Sequence, residues 1–284
     1  MITRAQAATF VPIALFLPTI ALFLAIALPG RSPLRVARSG IGRLGRDGRA
    51  RLMIGAMLAL IGVNVLLTAL DPRFTAAVGR EFGHEIHRLE GSFVRDLQTA
   101  FEHPLLTGVL SWFYVVVYPV LIIVSLFAYH GSGDEERLRA LAGAYFANYL
   151  IAQPFYLLFP VTEPAFLAGT GVRPLIDDVI PGFMDAFRLT SGIDNCFPSL
   201  HTSLSLSVAL VAASSPLRSW AILAAISAGT IAFSTLYLGI HWFGDLLAGA
   251  VVGWAAARIG FVLARTRTVE GRKSQALAQL PIRR

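Results

Sequence analysis

The sequence predicts an all-α, polytopic membrane helix bundle with six or seven transmembrane helices. Three observations carry this reading. Charged residues make up only 14% of 284 positions, against about 25% in soluble globular domains. The charges are gathered between long uncharged runs, and those runs have the length needed to cross hydrocarbon, about 20 residues per helix. The apolar fraction of 55% excludes a disordered chain. A single cysteine, Cys196, excludes an internal disulfide framework and a cysteine-based zinc cluster.

The runs follow one another along the chain. Arg4 and Arg31 bound 26 uncharged residues, and Arg51 and Asp71 bound 19. Pro104–Tyr129 gives 26 and Ala140–Thr162 gives 23. A fifth run spans roughly Ser199–Leu217, and the sixth, Ser219–Ile240, has 22 residues. The seventh, about Trp242–Ala264, holds Asp245 near one end and Arg258 near the other. Backbone in hydrocarbon must satisfy its own hydrogen bonds, and the alternating pattern of barrel strands is absent, so the runs are helices. The first is too long for a signal-peptide core and has no obvious small-residue cleavage site, so a retained membrane helix is expected. Between the second and third runs, Phe74, Val78, Phe82, Ile86, Leu89 and Phe93 recur at three and four. This predicts one amphipathic helix in the membrane interface, with Arg73, Arg80, Glu81, Glu85, Arg88 and Asp96 on its wet face. His84, His87 and His103 lie in or beside it without HExxH spacing and read as polar surface residues.

Topology follows from the arginines. Arg31, Arg35, Arg38, Arg43, Arg46, Arg49 and Arg51 crowd the first connection. Arg265, Arg267, Arg272, Lys273, Arg283 and Arg284 crowd the C-terminal tail. Seven helices put both on one side, which the positive-inside rule makes cytoplasmic. Asp71–His103, Pro160–Pro198 and Gly239–Trp242 are then extracytoplasmic, and a plasma-membrane location is expected. Topology accounts for the net charge of +7, so no nucleic-acid partner is expected; some attraction to anionic lipid is.

Two stretches carry the chemistry. Cys196-Phe197-Pro198-Ser199-Leu200-His201 opens the fifth helix, and Ser234 to Asp245 holds His241 at the start of the seventh. Asp245 lies four residues after His241, on the same helical face. Two histidines and a carboxylate therefore meet at one membrane face, where ionisable groups are costly and usually functional. The arrangement suits phosphoryl transfer. His241, oriented by Asp245, attacks phosphorus; His201 protonates the leaving oxygen and deprotonates the incoming hydroxyl. Ser199 and the amides opening the fifth helix suit phosphate oxygens, and Ser199 equally suits a plain helix cap. Asp245 has the alternative of a structural partner on another helix. Cys196 reads as a small packed residue. No metal cage and no cofactor are expected.

These motifs resemble those of the type 2 phosphatidic acid phosphatase (PAP2) superfamily. Its PSxH motif is matched by Pro198, Ser199, Leu200 and His201. Its SRxxxxxHxxxD motif is matched by Ser234, His241 and Asp245. The resemblance covers roughly Ala140–Ala264 and implies His241 as nucleophile, His201 as acid and base, and Asp245 as orienting carboxylate. It divides the chain into N-terminal membrane helices with the amphipathic outer-loop helix (1–139), a PAP2-like catalytic core (140–264) and a basic cytoplasmic tail (265–284).

Two departures stand out. Thr235 occupies the arginine position of the third motif, and the KxxxxxxRP motif has only Arg173-Pro174, with Phe166 where lysine would be. In this the chain is similar to the branch containing fungal inositol phosphorylceramide synthase, whose third motif often reads like Ser234-Thr235-Leu236-Tyr237. Arg173 and Arg188 are the substitutes expected to hold phosphate, with headgroup-surface positions as the alternative for each. Glu163 reads as a helix-end residue, with contact to a polyol as the alternative. The resemblance implies hydrolysis of a membrane lipid phosphate or diphosphate through phosphohistidine. The alternative is transfer of a phospho-headgroup, such as phosphoinositol, to a lipid alcohol. A non-catalytic transporter or scaffold is the third reading, for which Pro119 and Pro154 would mark helix breaks. The expected partners are the lipid substrate and the surrounding membrane lipids; the oligomeric state is left open.

Overall fold

A computed structural model describes residues 4–188 and 191–278. Arg283 and Arg284 of the basic tail lie outside the described residues, as do the side chains of Arg267, Arg272 and Lys273. The described fold is all-α. α1 (Arg4–Ala27), α2 (Pro33–Leu44) and α3 (Gly48–Thr68) come first, followed by three short helices, α4 (Asp71–Val78), α5 (Gly83–Glu90) and α6 (Phe93–Phe101). α7 (Pro104–Trp112) runs through a π turn, Phe113–Val117, into α8 (Tyr118–Ser132). α9 (Glu135–Leu158) leads to a long connection carrying α10 (Ile176–Val179) and α11 (Phe183–Phe187). α12 (Leu200–Ala213), α13 (Arg218–Tyr237) and α14 (Phe243–Ala278) complete the bundle.

Four helices among the described residues are long and apolar enough to cross a membrane: Gly48–Thr68, Pro104–Ser132, Arg218–Tyr237 and Phe243–Arg265. This is fewer than the six or seven expected, and the reasons are local. The described apolar part of the first run is Ile13–Ala27. α9 has the length, but Asn148, Gln153 and Pro154 interrupt its uncharged stretch and lower its hydropathy. α12 has 14 residues, about 21 Å at 1.5 Å per residue, against a hydrocarbon core of about 30 Å.

The outside of the bundle is apolar and its inside is partly polar, the reverse of a soluble bundle. Leu17, Leu52, Leu150 and Val251 are 76%, 77%, 78% and 67% exposed, and apolar surface on this scale marks contact with lipid. Inside, Asn148 donates to Ser207 Oγ at 2.9 Å and Ser207 donates to the Gly253 carbonyl at 2.8 Å, joining α9, α12 and α14. Small residues let these backbones approach, as packing in lipid requires. A Cβ on Gly253 would lie 2.4 Å from the Ser203 carbonyl, and one on Gly260 2.2 Å from the Ala140 carbonyl.

The amphipathic segment is not one helix. It breaks into α4, α5 and α6 at Gly79 and Gly91, whose φ angles are +66° and +61°, a region where glycine has no steric penalty. Leu89 is left 87% exposed. Pro119 does mark an irregularity: the π turn ends immediately before it, with the Tyr118 N–H bonded to the Phe113 carbonyl. Proline cannot donate to the preceding turn and crowds its carbonyl, and a π bulge relieves that crowding. At the other end of α8, Arg43 of α2 donates to the His130 and Gly131 carbonyls at 3.2 and 3.1 Å. The arginine-rich connection therefore lies at the far end of α8 from Tyr114 and Tyr118.

The close approach of α14 gives a first test. Gly253→Leu and Gly260→Leu should each lower stability in detergent by about 1–3 kcal/mol, the usual range for overpacking. Gly62→Leu on α3, where a Cβ would meet nothing within 4 Å, should leave the thermal midpoint unchanged or raise it. Thermal melts of the three variants, followed by size-exclusion, check this.

Candidate active site

The site forms where the N-termini of α12 and α14 meet. Ser199 caps α12, its Oγ accepting from the Thr202 N–H at 3.3 Å and from Thr202 Oγ1 at 3.1 Å. Its own N–H donates to the Asp245 carbonyl at 3.1 Å, which locks the two helix starts together. The structure thus gives Ser199 the capping role.

α13 ends in a tight turn that delivers His241. The N–H groups of Ile240 and His241 both donate to the Thr235 carbonyl, at 3.0 and 3.1 Å. The turn needs Gly239, whose φ is +79° and where a Cβ would sit 2.6 Å from the Arg173 carbonyl. Thr235, at the position of the missing arginine, turns its hydroxyl back to the Ala232 carbonyl at 2.8 Å.

Asp245 is fully buried at the third position of α14. Its Oδ2 accepts from the Trp242 N–H at 2.8 Å and from the Cys196 thiol at 2.8 Å, and lies 3.3 Å from His241 Nδ1. The Trp242 bond is the reach-back half of a capping box. Because Nδ1 faces the carboxylate, Nε2 is the nitrogen of His241 left for chemistry. Cys196 Sγ also lies 3.3 Å from His241 Nδ1. Burial and the Asp245 charge push the Cys196 thiol well above its ordinary range, so it acts as an S–H donor.

His201, on the first turn of α12, faces His241 with ring centroids 6.2 Å apart and planes at 59°. Its other side rests on two aromatic rings from the π turn and the start of α8. Tyr114 is stacked at 4.2 Å and 20°, and Tyr118 is tilted at 4.3 Å. The two tyrosines fix the imidazole plane through ring contact.

The start of α14 is held from α5. Glu90 accepts from the Phe243 N–H at 2.8 Å and the Gly244 N–H at 2.6 Å, satisfying two amides that a helix start otherwise leaves bare. Burial raises the Glu90 carboxyl above its usual range, and these two bonds oppose that rise.

The structure brings His241, Asp245, His201 and Ser199 together. It separates the two arginines. Arg173 is more than half exposed and is held by Glu102 at 3.0 Å and Asp178 at 2.6 Å. Arg188 is less exposed, with its guanidinium 3.7 Å over the Phe166 ring; burial holds the Glu163 carboxyl well above its usual range, and the Arg188 charge opposes that rise. Sequence reasoning missed Cys196 as a partner of Asp245, and it missed Glu90, Tyr114 and Tyr118 altogether. Cys196 had one signal, its place in the stretch that ends at His201. Glu90 had none beyond its charge.

Among the described residues, His84, His87 and His103 belong to no cluster with metal-ligand geometry. Cys196, His241 and Asp245 do, with ligand atoms within 4.8 Å of one another.

Two histidines and a carboxylate thus meet at the starts of two helices in an all-α bundle, four of whose described helices are long and apolar enough to cross a membrane. The chain belongs to the PAP2 superfamily, whose family model matches residues 84–259. The match begins within α5, so Glu90 and α6 lie inside the matched region. A PA-phosphatase related-family protein from Dictyostelium discoideum is 27% identical over 178 residues, covering 57% of this chain and 32% of the relative. The chain thus spans about a third of that relative's length. No solved structure matches.

The Glu90 bridge gives a second test. Glu90→Ala should cost about 1 kcal/mol, the scale of a lost helix cap, and should reduce turnover through displacement of His241. Glu90→Gln, which keeps an acceptor oxygen, should recover most of both. Equal loss in the two variants, by thermal melt and initial rate, would set the capping account aside.

Proposed function

We infer that the chain cleaves a membrane lipid phosphate or diphosphate through a phosphohistidine on His241. The observation that carries this is the facing pair of histidines, one bonded through Nδ1 to a buried carboxylate. Nε2 of His241 attacks phosphorus, and the bond to the leaving oxygen breaks as His201 protonates it. His201 then takes a proton from the incoming hydroxyl, and the P–N bond breaks. A ring separation of 6.2 Å suits one phosphoryl group held between nitrogens, with attack distances of about 3–3.5 Å. Asp245 orients His241 and stabilises its positive charge. The amides opening α12, capped by Ser199, and Arg188 supply charge for the phosphate oxygens; Arg173, already paired twice, is the weaker candidate.

An apolar groove of about 510 Å³ beside the site supports a lipid substrate; its lining includes Ile86, Leu89, Phe155, Leu158 and Phe197. Phe197 and Gly244, also in the lining, directly adjoin the two motifs, so an acyl chain in the groove would place its phosphate near His241. The seven-span topology, with the site extracytoplasmic and the arginine-rich connection cytoplasmic, remains our reading and is supported by Arg43 at the far end of α8. The same holds for the catalytic core at 140–264.

A second reading, transfer of a phospho-headgroup to an alcohol as in the inositol phosphorylceramide synthase-like branch, is favoured by the missing cations. With Phe166 and Thr235 at two usually basic positions, a singly charged phosphodiester is an easier substrate than a doubly charged monoester.

Replacing either histidine tests the roles. His241→Ala should abolish turnover and the acid-labile phosphoenzyme for every substrate. His201→Ala should lose at least about 100-fold with an alkyl leaving group, the usual share of general acid catalysis, and far less with nitrophenyl. Equal relief for both variants on the nitrophenyl ester would reverse the assignment.

The Cys196, His241 and Asp245 cluster gives a further test. Asp245 Oδ2 is committed to Trp242, Cys196 and His241, while Oδ1 is buried without a partner; in our reading the reaction runs without a metal. Activity should persist in EDTA. Complete loss restored by zinc or magnesium would replace the phosphohistidine mechanism with a metal-based one.

A further inference from the structure

Three side chains of metal-binding type meet on the Nδ1 side of His241. Cys196 Sγ lies 2.8 Å from Asp245 Oδ2 and 3.3 Å from His241 Nδ1, and Oδ2 and Nδ1 are 3.3 Å apart. All three residues are buried. Bonds of about 2.0–2.3 Å around a tetrahedral zinc ion leave neighbouring donor atoms about 3.3–3.6 Å apart. Both distances that involve Nδ1 already have that value. The Sγ–Oδ2 distance is shorter because the thiol proton bridges it. A coordinating thiol gives up its proton, and the two atoms then separate to the wider spacing.

A second observation concerns the other carboxylate oxygen. Asp245 Oδ1 is buried with no hydrogen-bond partner, on a residue that is 0% exposed. An unmet buried acceptor is costly, and a cation supplies the partner it lacks. Oδ1 can take the ion while Oδ2 keeps the Trp242 amide. Three protein donors leave the fourth tetrahedral position open. The mixed sulfur, nitrogen and oxygen set suits zinc. It does not suit magnesium, which takes oxygen ligands in octahedral geometry.

We propose that Cys196, His241 and Asp245 form an inhibitory site for zinc or a zinc-like divalent cation. The inhibition rests on the phosphohistidine reading above; the binding does not. In the working tautomer Nδ1 carries the ring proton and donates it to Asp245, and Nε2 holds the lone pair that attacks phosphorus. Coordination takes the lone pair of Nδ1 instead. The single ring proton then sits on Nε2, which has no lone pair left for attack. The Cys196 thiol proton leaves to solvent as the sulfur–metal bond forms, and nothing is oxidised or reduced. The ion also claims the Asp245 charge that would stabilise a phosphohistidine.

The test separates binding from inhibition. The full-length protein in detergent, stripped with EDTA and desalted, is titrated with cobalt(II), a spectroscopic substitute for zinc. The chain has one cysteine, so a thiolate-to-cobalt charge-transfer band belongs to Cys196. Wild type should bind one cobalt per chain with that band and with tetrahedral visible absorption, and zinc should displace it. His241→Ala should weaken cobalt binding by at least about tenfold, since loss of a ligand's supporting partner alone costs that much. In rate assays zinc should inhibit wild type, and magnesium at the same concentration should not. Cys196→Ser should need at least about tenfold more zinc for half-inhibition, measured against its own metal-free rate. Where that variant does not fold, the cobalt titrations of wild type and His241→Ala decide. No charge-transfer band in wild type, or an unchanged titration in His241→Ala, overturns the site. Zinc that binds and leaves the rate unchanged overturns the inhibition. Full cleavage by His241→Ala overturns the phosphohistidine reading, while the wild-type cobalt band keeps the metal site standing.

Discussion

Asp245 is the group on which the rest of the site depends. One buried oxygen accepts from the Trp242 amide and the Cys196 thiol and holds Nδ1 of His241, while its carbonyl accepts from Ser199. A carboxylate in so apolar a position persists only when its bonds are made locally. Here those bonds come from both motif stretches at once. Its Oδ1 is buried without a partner, so losing any of the three contacts to Oδ2 would deepen that deficit, and the same contacts hold the fold and the site geometry. Glu90 extends the logic outward: a second carboxylate, from an element 154 residues away in sequence, satisfies the next two amides of α14.

The glycines of α14 are the packing counterpart of this hydrogen bonding. A short reach between Asp245 and Ser199 demands that α12 and α14 run nearly in backbone contact. A Cβ on Gly249 would lie 2.6 Å from the Ser199 carbonyl, and one on Gly253 2.4 Å from the Ser203 carbonyl. In lipid, where apolar burial gives helices little reason to associate, such close backbone contact and the Asn148–Ser207–Gly253 chain supply the attraction. The site is accurate because the helices that carry it cannot drift apart without losing both.

The sequence made the helices legible because charge is costly in hydrocarbon, and the spaces between charges therefore outline them. It made His241 and Asp245 legible as a pair because a spacing of four puts them on one helical face. The breaks at Gly79 and Gly91 were not legible, since apolar periodicity continues across each glycine while the backbone turns. α12 was overestimated because its run begins with Ser199, which caps the helix, and ends at Ser214 to Leu217, which form the following turn. Cys196, Glu90 and Tyr114 escaped because their importance lies in contacts 44 to 154 residues distant along the chain. No local pattern encodes such contacts. Glu163 was read as a helix-end residue; its burial without a partner is visible only in three dimensions.

The shortness of α12 explains why the site needs so much structure above it. If the bundle spans the bilayer, a helix of about 21 Å falls about 9 Å short of a hydrocarbon core of about 30 Å. His201 at its head is then recessed from the outer surface. The gap is filled by α4, α5, α6 and the connection carrying α10 and α11, the elements that also supply Glu90, Glu163 and Arg188. A recessed site keeps water limited around the phosphorus, which strengthens every charge interaction there. Under the proposed function, a lipid's phosphate would reach it at headgroup depth while its chains lie in the groove at Phe155 and Phe197.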